Sequence, residues 1–263
     1  MSLPVSPSGR RYGLKASPPD PRDLHLRSAP IKIAPLPPVV DLETWCGPVK
    51  DQGSLGACTA FAGAGNREYL ARRFNGEDVI LSPLYLYYQE RFLDGTLAEG
   101  DTGSTGRTSC RAMNKFGICE ETEDRYDVSR FMVAPTPEQC GAAIKYRAGA
   151  YHALLTPYDL KTCMASGYPA LVGFTVYESF ESSRVAETGV WSLPDKRREL
   201  VLGGHEVLFV GYDDQRAAFK VRNSWGPDWG QRGNFWFPYA AAGDPDILMD
   251  AWMQHLGKPW GRA

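Results

Sequence analysis

The hydrophobic rhythm of the chain changes twice. Residues 1–41 show almost no period. Nine of the twenty prolines fall in the first forty positions, and the run Ser17-Pro18-Pro19-Asp20-Pro21-Arg22-Asp23 favours extended backbone and turns over helix or sheet. This stretch reads as an extended arm, with Tyr12, Leu14, Leu24 and Leu26 as apolar side chains able to dock on a larger body. From residue 42 to about 150 helical signals dominate. Residues 58–74 form one stretch stopped by Asn75-Gly76, a pair able to take the left-handed cap. Ser82-Pro83 sets an N-cap before a first-turn proline and opens a helix over 84–92. Cys110, Met113 and Phe116 recur at helical spacing and stop at Gly117, and Thr136-Pro137 and Thr156-Pro157 open two more helices. After Pro169 the signals become those of strands: 170–177, 189–193, 205–212, 218–223 and 233–239 are short, rich in Val, Phe, Tyr and Trp, and separated by Gly, Asp and Pro. The pattern predicts an α+β chain with an arm (1–41) and one larger domain (42–263), a helical lobe to about 150 and a β lobe from about 151.

Composition narrows the function without naming it. A chain of 263 residues with 43% hydrophobic content can bury a sizeable core. A net charge of −2 and a pI near 6.1 leave no basic footprint for nucleic acid. No apolar run has transmembrane length, so no membrane partner is expected. The first thirty residues lack the basic start and apolar core of a secretory signal, and the compartment stays open. Besides Cys58 the chain carries Cys46, Cys110, Cys119, Cys140 and Cys163. That odd number allows at most two bridges among them. No two cysteines share the close spacing of a zinc site, and no metal is expected. The glycine-rich stretch 100–108 departs from a phosphate-binding loop, with Asp101 where the first glycine is due and Arg107 in place of the lysine.

The chemistry sits in three local motifs. Cys58 lies in Gln52-Gly53-Ser54-Leu55-Gly56-Ala57-Cys58-Thr59-Ala60, His205 follows 147 residues later in Gly203-Gly204-His205-Glu206-Val207, and Asn223 comes 18 residues after that in Val221-Arg222-Asn223-Ser224-Trp225-Gly226. A free thiol has a pKa of roughly 8.5, so a nucleophilic thiolate needs help. A helix opening at Cys58 would supply unpaired amides and the positive end of the helix dipole. His205 would take the thiol proton and return it to the leaving amine, and Asn223 would fix the ring's orientation and tautomer. In these motifs the chain resembles the papain-like cysteine peptidases, whose nucleophile, base and orienting amide come in this order at separations of roughly 130 to 150 residues.

The resemblance implies a two-lobe fold, with a helical lobe and an antiparallel β-barrel-like lobe and the active-site cleft between them. It implies a cysteine endopeptidase acting on a peptide or protein substrate, without cofactor, as a monomer. Gln52 would donate to the oxyanion beside the Cys58 N–H, and Trp225 would cover the His205–Asn223 contact. Gly103 and Ser104 would line the cleft and pair with the substrate backbone, with Gly204 and Glu206 as further substrate-binding residues. Where the family usually has a small residue after the histidine, Glu206 puts a carboxylate beside the pocket for the second residue before the scissile bond. A substrate Lys or Arg would be its partner. Two positions depart from the common pattern: Leu55 replaces a cysteine and Thr59 an aromatic, a form that looks like a prokaryotic branch of the family. The arm is shorter than a full helical pro-domain, yet could reach the cleft and regulate it. Two alternatives are weaker. Another thiol acyl-transferase or amidase on a related fold is disfavoured by Gln52 and the Asn223-Ser224-Trp225-Gly226 run, and an inactive peptide-binding homologue by the retention of both Cys58 and His205.

Overall fold

The structure, a computed structural model, describes residues 3–29 and 35–257. Its axis is helix α1, Cys58–Leu70, in which every position except Gly65 is buried. Small residues let neighbours close in on several sides of it. Helices α2 (Pro83–Asp94) and α3 (Gly106–Lys115) pack against α1 from one side and the sheet from another. A Cβ at Gly63 would stand 2.7 Å from Ser109 Oγ, so α3 could not approach this closely over a larger residue. The last turn, Ala71–Asn75, widens to π geometry and ends on Gly76 at φ 70°, the stop that Asn75-Gly76 predicts.

The helix starts follow the expected chemistry. Ser82 accepts from the Tyr85 N–H ahead of Pro83. Helices α4 (Pro137–Ala143) and α5 (Pro157–Ala165) begin on capping boxes made by Thr136 with Gln139 and by Thr156 with Asp159. Each proline occupies the first turn, where its missing N–H costs nothing.

The β lobe is a seven-stranded sheet. Its order is β4 (Ala148–Ala153), β9 (Leu248–Leu256), β5 (Ala170–Tyr177), β6 (Val201–Asp213), β7 (Ala218–Arg222) and β8 (Asn234–Pro238), with β2 (Val39–Asp41) paired to β6. Every pair in it is antiparallel. The sheet stays open between β4 and β8, so the lobe is not a closed barrel. Two expectations change here. Residues 189–193 form no strand; after helix α6 (Ser183–Thr188) only Val190 makes an isolated bridge, to Trp236, while Trp191 turns into the aromatic core. Strands β4 and β9 were not anticipated, and β4 crosses the lobe boundary near 150. The six cysteines are all free.

Strand alternation sorts the two faces of β5 and β6. Phe174 and His205 are paired across the strands and face an aromatic cluster in which Phe180 lies 5.3 Å from Trp225, 5.4 Å from Trp191 and 5.1 Å from Phe235. Their neighbours Gly173 and Glu206 face the other way, toward Gly106 at the start of α3.

One buried ion pair ties α1 to the segment that leads into the site. Glu68 Oε1 accepts from the Leu81 N–H at 2.8 Å and from Lys50 Nζ at 2.9 Å. Lys50 also meets Glu121 at 2.9 Å. Removing one partner of a buried pair leaves the other charged and unsatisfied, so Glu68→Ala should cost roughly 3 kcal/mol, read as a lower urea midpoint at unchanged slope. Glu68→Gln keeps an acceptor for the Leu81 N–H and should lose less. Equal losses would show that the charge contributes nothing.

Candidate active site

The loop before α1 is held from both sides. The Gln52 N–H donates to Ser224 O at 3.0 Å, and Gly56 N–H donates to Asp101 Oδ2 at 3.1 Å. Asp101 also accepts from the Tyr87 hydroxyl at 2.5 Å, and that same hydroxyl accepts from the Gly103 N–H at 2.9 Å. A single carboxylate therefore sets the nucleophile loop and the glycine segment in one frame.

Cys58 is the first residue of α1, and its thiol receives backbone N–H groups from Glu206 and Gly13. His205 Nε2 lies 2.8 Å from Asn223 Oδ1, which also accepts from the Ser224 N–H at 2.9 Å. An oxygen can only accept, so Nε2 carries the proton and Nδ1 keeps its lone pair. Among the described residues Nδ1 is buried without a hydrogen bond, free to serve as the base. Trp225 stacks on the imidazole with centroids 5.0 Å apart and planes at 24°. Gln52 is fixed through both ends of its amide: Nε2 donates to Leu55 O at 3.0 Å, and Oε1 accepts from Ser224 Oγ at 2.6 Å. One N–H of that amide remains for a ligand. Ser224 was inside the quoted motif, but its role as the clamp on Gln52 shows only in the fold. Thr59, in place of an aromatic, is held by hydrogen bonds instead: its hydroxyl donates to Glu90 at 2.6 Å and its carbonyl accepts from Ser109 Oγ at 3.1 Å.

The arm lies in the cleft. Its strand β1 (Leu14–Lys15) pairs in parallel with β3 (Ser104–Thr105), and Gly13 bridges to Gly204. The Ser104 N–H donates to Gly13 O at 2.9 Å. Gly103, Ser104 and Gly204, expected to meet substrate, meet residues 13–14 of the chain itself. Contact is backbone to backbone: a Cβ at Gly13 would lie 1.9 Å from Gly56 O, and one at Gly103 would lie 1.8 Å from Gly13 O. Tyr12 sets its edge against His205 at 5.9 Å and hydrogen-bonds Glu181. Arg10 lies 4.1 Å over the Trp225 ring, and Arg11 meets Asp101 at 3.4 Å.

This lid sets the protonation of the pair. Burial pushes the Cys58 thiol up to about 12, against the lowering effect of its two backbone N–H donors. Burial pulls His205 down to about 4, against the raising effect of Asn223. The thiolate expected at the helix start is therefore not the state of the covered site. Lost water outweighs the helix amides, and thiol and imidazole are both neutral.

Glu206 does not point at the histidine. It occupies the opposite face of β6, buried, with neither carboxylate oxygen hydrogen-bonded among the described residues. Gly173 and Asp250, which flank this region, had no sequence signal, because β9 was not recognised.

Residues 36–253 match the family model described as papain family cysteine protease. A peptidase C1-like protein of Acanthamoeba polyphaga mimivirus is 36% identical over 213 residues, covering 77% of this chain and 68% of the relative. The oryzain gamma chain of Oryza sativa subsp. japonica is 28% identical over 194 residues, 72% of this chain and 51% of the relative, so the chain spans about half the length of that protein. Among solved structures, xylellain, a cysteine protease from Xylella fastidiosa, superposes with a TM-score of 0.85 at 32% identity, over 94% of this chain and 96% of that one. A match across 36–253, carried on a fold that brings Cys58, His205 and Asn223 to one cleft, means that the chain belongs to the papain family of cysteine proteases.

Proposed function

We propose that the chain is a cysteine peptidase whose own N-terminal arm holds it closed. The observation that carries this reading is the His205–Asn223 bond, which leaves Nδ1 unprotonated and unpartnered beside a cleft that contains the only helix-opening cysteine of the motif. In the open enzyme His205 Nδ1 takes the Cys58 proton, and the sulfur attacks a peptide carbonyl carbon. The carbonyl oxygen, now negative, is met by the Cys58 N–H and the remaining Gln52 Nε2–H. The tetrahedral adduct collapses as the C–N bond breaks, and His205 gives its proton to the leaving amine. Water, deprotonated by the same imidazole, then attacks the thioester; the acid leaves and Cys58 regains its proton.

The arm survives in this cleft because it presents the wrong atoms. Its Gly13 turns an N–H toward the thiol, and its carbonyl is held away by Ser104. No carbonyl carbon stands in line for attack.

Cys58→Ala should abolish peptide hydrolysis and covalent labelling by an epoxide-type inhibitor while the fold persists. His205→Ala should lose roughly a hundredfold to ten-thousandfold in kcat/KM, Asn223→Ala less, and the Cys58→Ala/His205→Ala pair little beyond Cys58→Ala. Labelling mapped by mass spectrometry to another cysteine would move the nucleophile elsewhere.

A methyl group at position 13 cannot fit beneath Gly56 O. Gly13→Ala should displace the arm and speed labelling of Cys58 about tenfold or more, since overpacking costs about 1–3 kcal/mol. Deleting residues 1–38 should likewise raise activity or lower KM.

The same displacement has a spectroscopic signature. Covered, the thiol is neutral until pH approaches about 12 and the imidazole is neutral down to about 4. Thiolate absorbance should therefore be absent from the full chain at neutral pH. It should appear in Gly13→Ala and vanish again with Cys58→Ala. A neutral thiol with a neutral imidazole holds as many protons as a thiolate with an imidazolium. Arm release should accordingly be flat in pH, as far as these two groups are concerned, wherever the open site is the ion pair. Equal thiolate signals in the full chain and Gly13→Ala would dismiss the arm as the cause.

A further inference from the structure

Gly173 of β5 is paired with Glu206 on one side and with Asp250 of β9 on the other. Residues directly opposed across antiparallel strands share a face. The three therefore form a row, with a hole at its centre where Gly173 has no side chain. Both walls of the hole are carboxylates. A Cβ at Gly173 would lie 2.7 Å from Asp250 Oδ1, and one at Gly106, at the head of α3, would lie 2.9 Å from Glu206 Oε2.

Neither wall is satisfied. Glu206 is 1% exposed, and both its oxygens are buried without a hydrogen bond among the described residues. The same holds for both oxygens of Asp250, with Ser17 and Trp252 close by but outside hydrogen-bonding geometry. The other charged or titratable groups around the hole do not help. Glu90 adds negative charge and Cys110 is a buried thiol. Arg107 is already taken: it meets Asp23 at 2.5 Å, donates to Pro18 O and lies 5.2 Å over the Trp252 ring.

The hole is nonetheless filled. The side chain of Leu14 enters it, with Cδ2 2.5 Å from where a Gly173 Cβ would stand, and Leu14 is only 5% exposed. It is the residue next to Gly13, whose N–H faces the nucleophile, and its backbone is in register with Ser104. An extended peptide lying in this cleft thus drops one side chain between Glu206 and Asp250. Leucine matches the hole in shape and leaves both acids without a partner, which is costly in a dry site.

Resting on the reading of the cleft as a peptide site, we propose that the hole bounded by Glu206, Gly173 and Asp250 is a specificity pocket for a lysine or arginine side chain of the substrate, with Leu14 as its apolar placeholder. The row adds Asp250 and Gly173 to the single glutamate visible in the sequence, and two carboxylates on opposite sides suit a cation with several donors, arginine above all. While Leu14 is in place, burial first and mutual repulsion second hold Glu206 well above the usual carboxylate range, and burial raises Asp250 as well. A cation in the hole would let both ionise.

Full-length Leu14→Arg, Leu14→Met and Leu14→Asp are compared by the rate at which an epoxide inhibitor labels Cys58. Leu14→Arg should label about tenfold or more slowly than Leu14→Met, because charged hydrogen bonds tighten the arm, and Leu14→Asp should label fastest. Adding Glu206→Gln and Asp250→Asn to Leu14→Arg should remove the slowing. Leu14→Arg labelling as fast as Leu14→Met, or slowing that survives the loss of both carboxylates, overturns the pocket. Failure of the peptidase reading looks different: Cys58 stays unlabelled even in Leu14→Asp. The pocket is then judged by thermal unfolding, where a higher Tm for Leu14→Arg than for Leu14→Met, present only with both acids, supports it and any other order sinks it. In the opened Leu14→Asp variant, a peptide library should favour Lys or Arg over Leu or Phe at this position by roughly tenfold in kcat/KM. An apolar preference there overturns the proposal.

Discussion

Everything at the centre of this molecule depends on how closely two backbones can pass. Gly13 of the arm runs between Gly56, at the nucleophile loop, and Gly103, at the glycine segment, at separations that leave no room for a Cβ on Gly13 or Gly103. Leu14 O stands 2.5 Å from where a Cβ on Gly204 would be. The walls of the cleft are thus peptide groups, whose N–H and C=O must find partners when water leaves. Ser104 N–H and Gly13 O satisfy each other, and the Gly13 N–H turns to the thiol. The electrostatic outcome follows from that fit. A lid this close excludes water from Cys58 and His205 together, and in a dry site the neutral pair outlasts the ion pair.

The β6 strand shows how little structure is needed to separate chemistry from selectivity. His205 and Glu206 are consecutive, so strand alternation sends them to opposite faces. The base lands among Phe174, Trp225 and the rings behind them, where stacking and one amide fix its plane. The acid lands opposite α3, next to Gly173 and Asp250. A one-residue slip of β6 would exchange the two and destroy both functions, and its pairing with both β5 and β7 guards the register.

The catalytic residues were legible because thiol chemistry needs certain residue types in certain company: Cys58 after Gln52, His205 before a strand, Asn223 beside Trp225. Helix starts were legible too, since Ser82, Thr136 and Thr156 each precede a proline. What was not legible depends on contacts between distant parts of the chain. Strand β4, Ala148–Ala153, is built of Ala and Gly with one Tyr and one His and carries little strand propensity. Strand β9 lies between β4 and β5 and lacks clean alternation, which hides the placement of Asp250. Conversely, 189–193 looked like a strand because Val190 and Trp191 have the right composition, but Trp191 serves the aromatic core rather than a ladder. Helix α1 was visible as a span, whereas its burial on all sides was not, because Asn66, Arg67 and Glu68 look like a solvated face until their partners are seen. Arg67 Nε, for instance, donates to Tyr146 O at 3.0 Å.

The arm is a cast of the cleft with one deliberate mismatch. Along its backbone it satisfies the glycine walls, and at Tyr12 and Arg10 it covers the base and its indole. At Leu14 it supplies volume where the walls carry unpaired acid. A segment of the same chain that also satisfied Glu206 and Asp250 would gain charged hydrogen bonds at no translational cost and be hard to remove. By filling the hole without pairing its walls, Leu14 leaves part of the binding energy of this cleft unspent. An incoming peptide with the matching cation can therefore compete with a tethered one, and closure by the arm stays reversible.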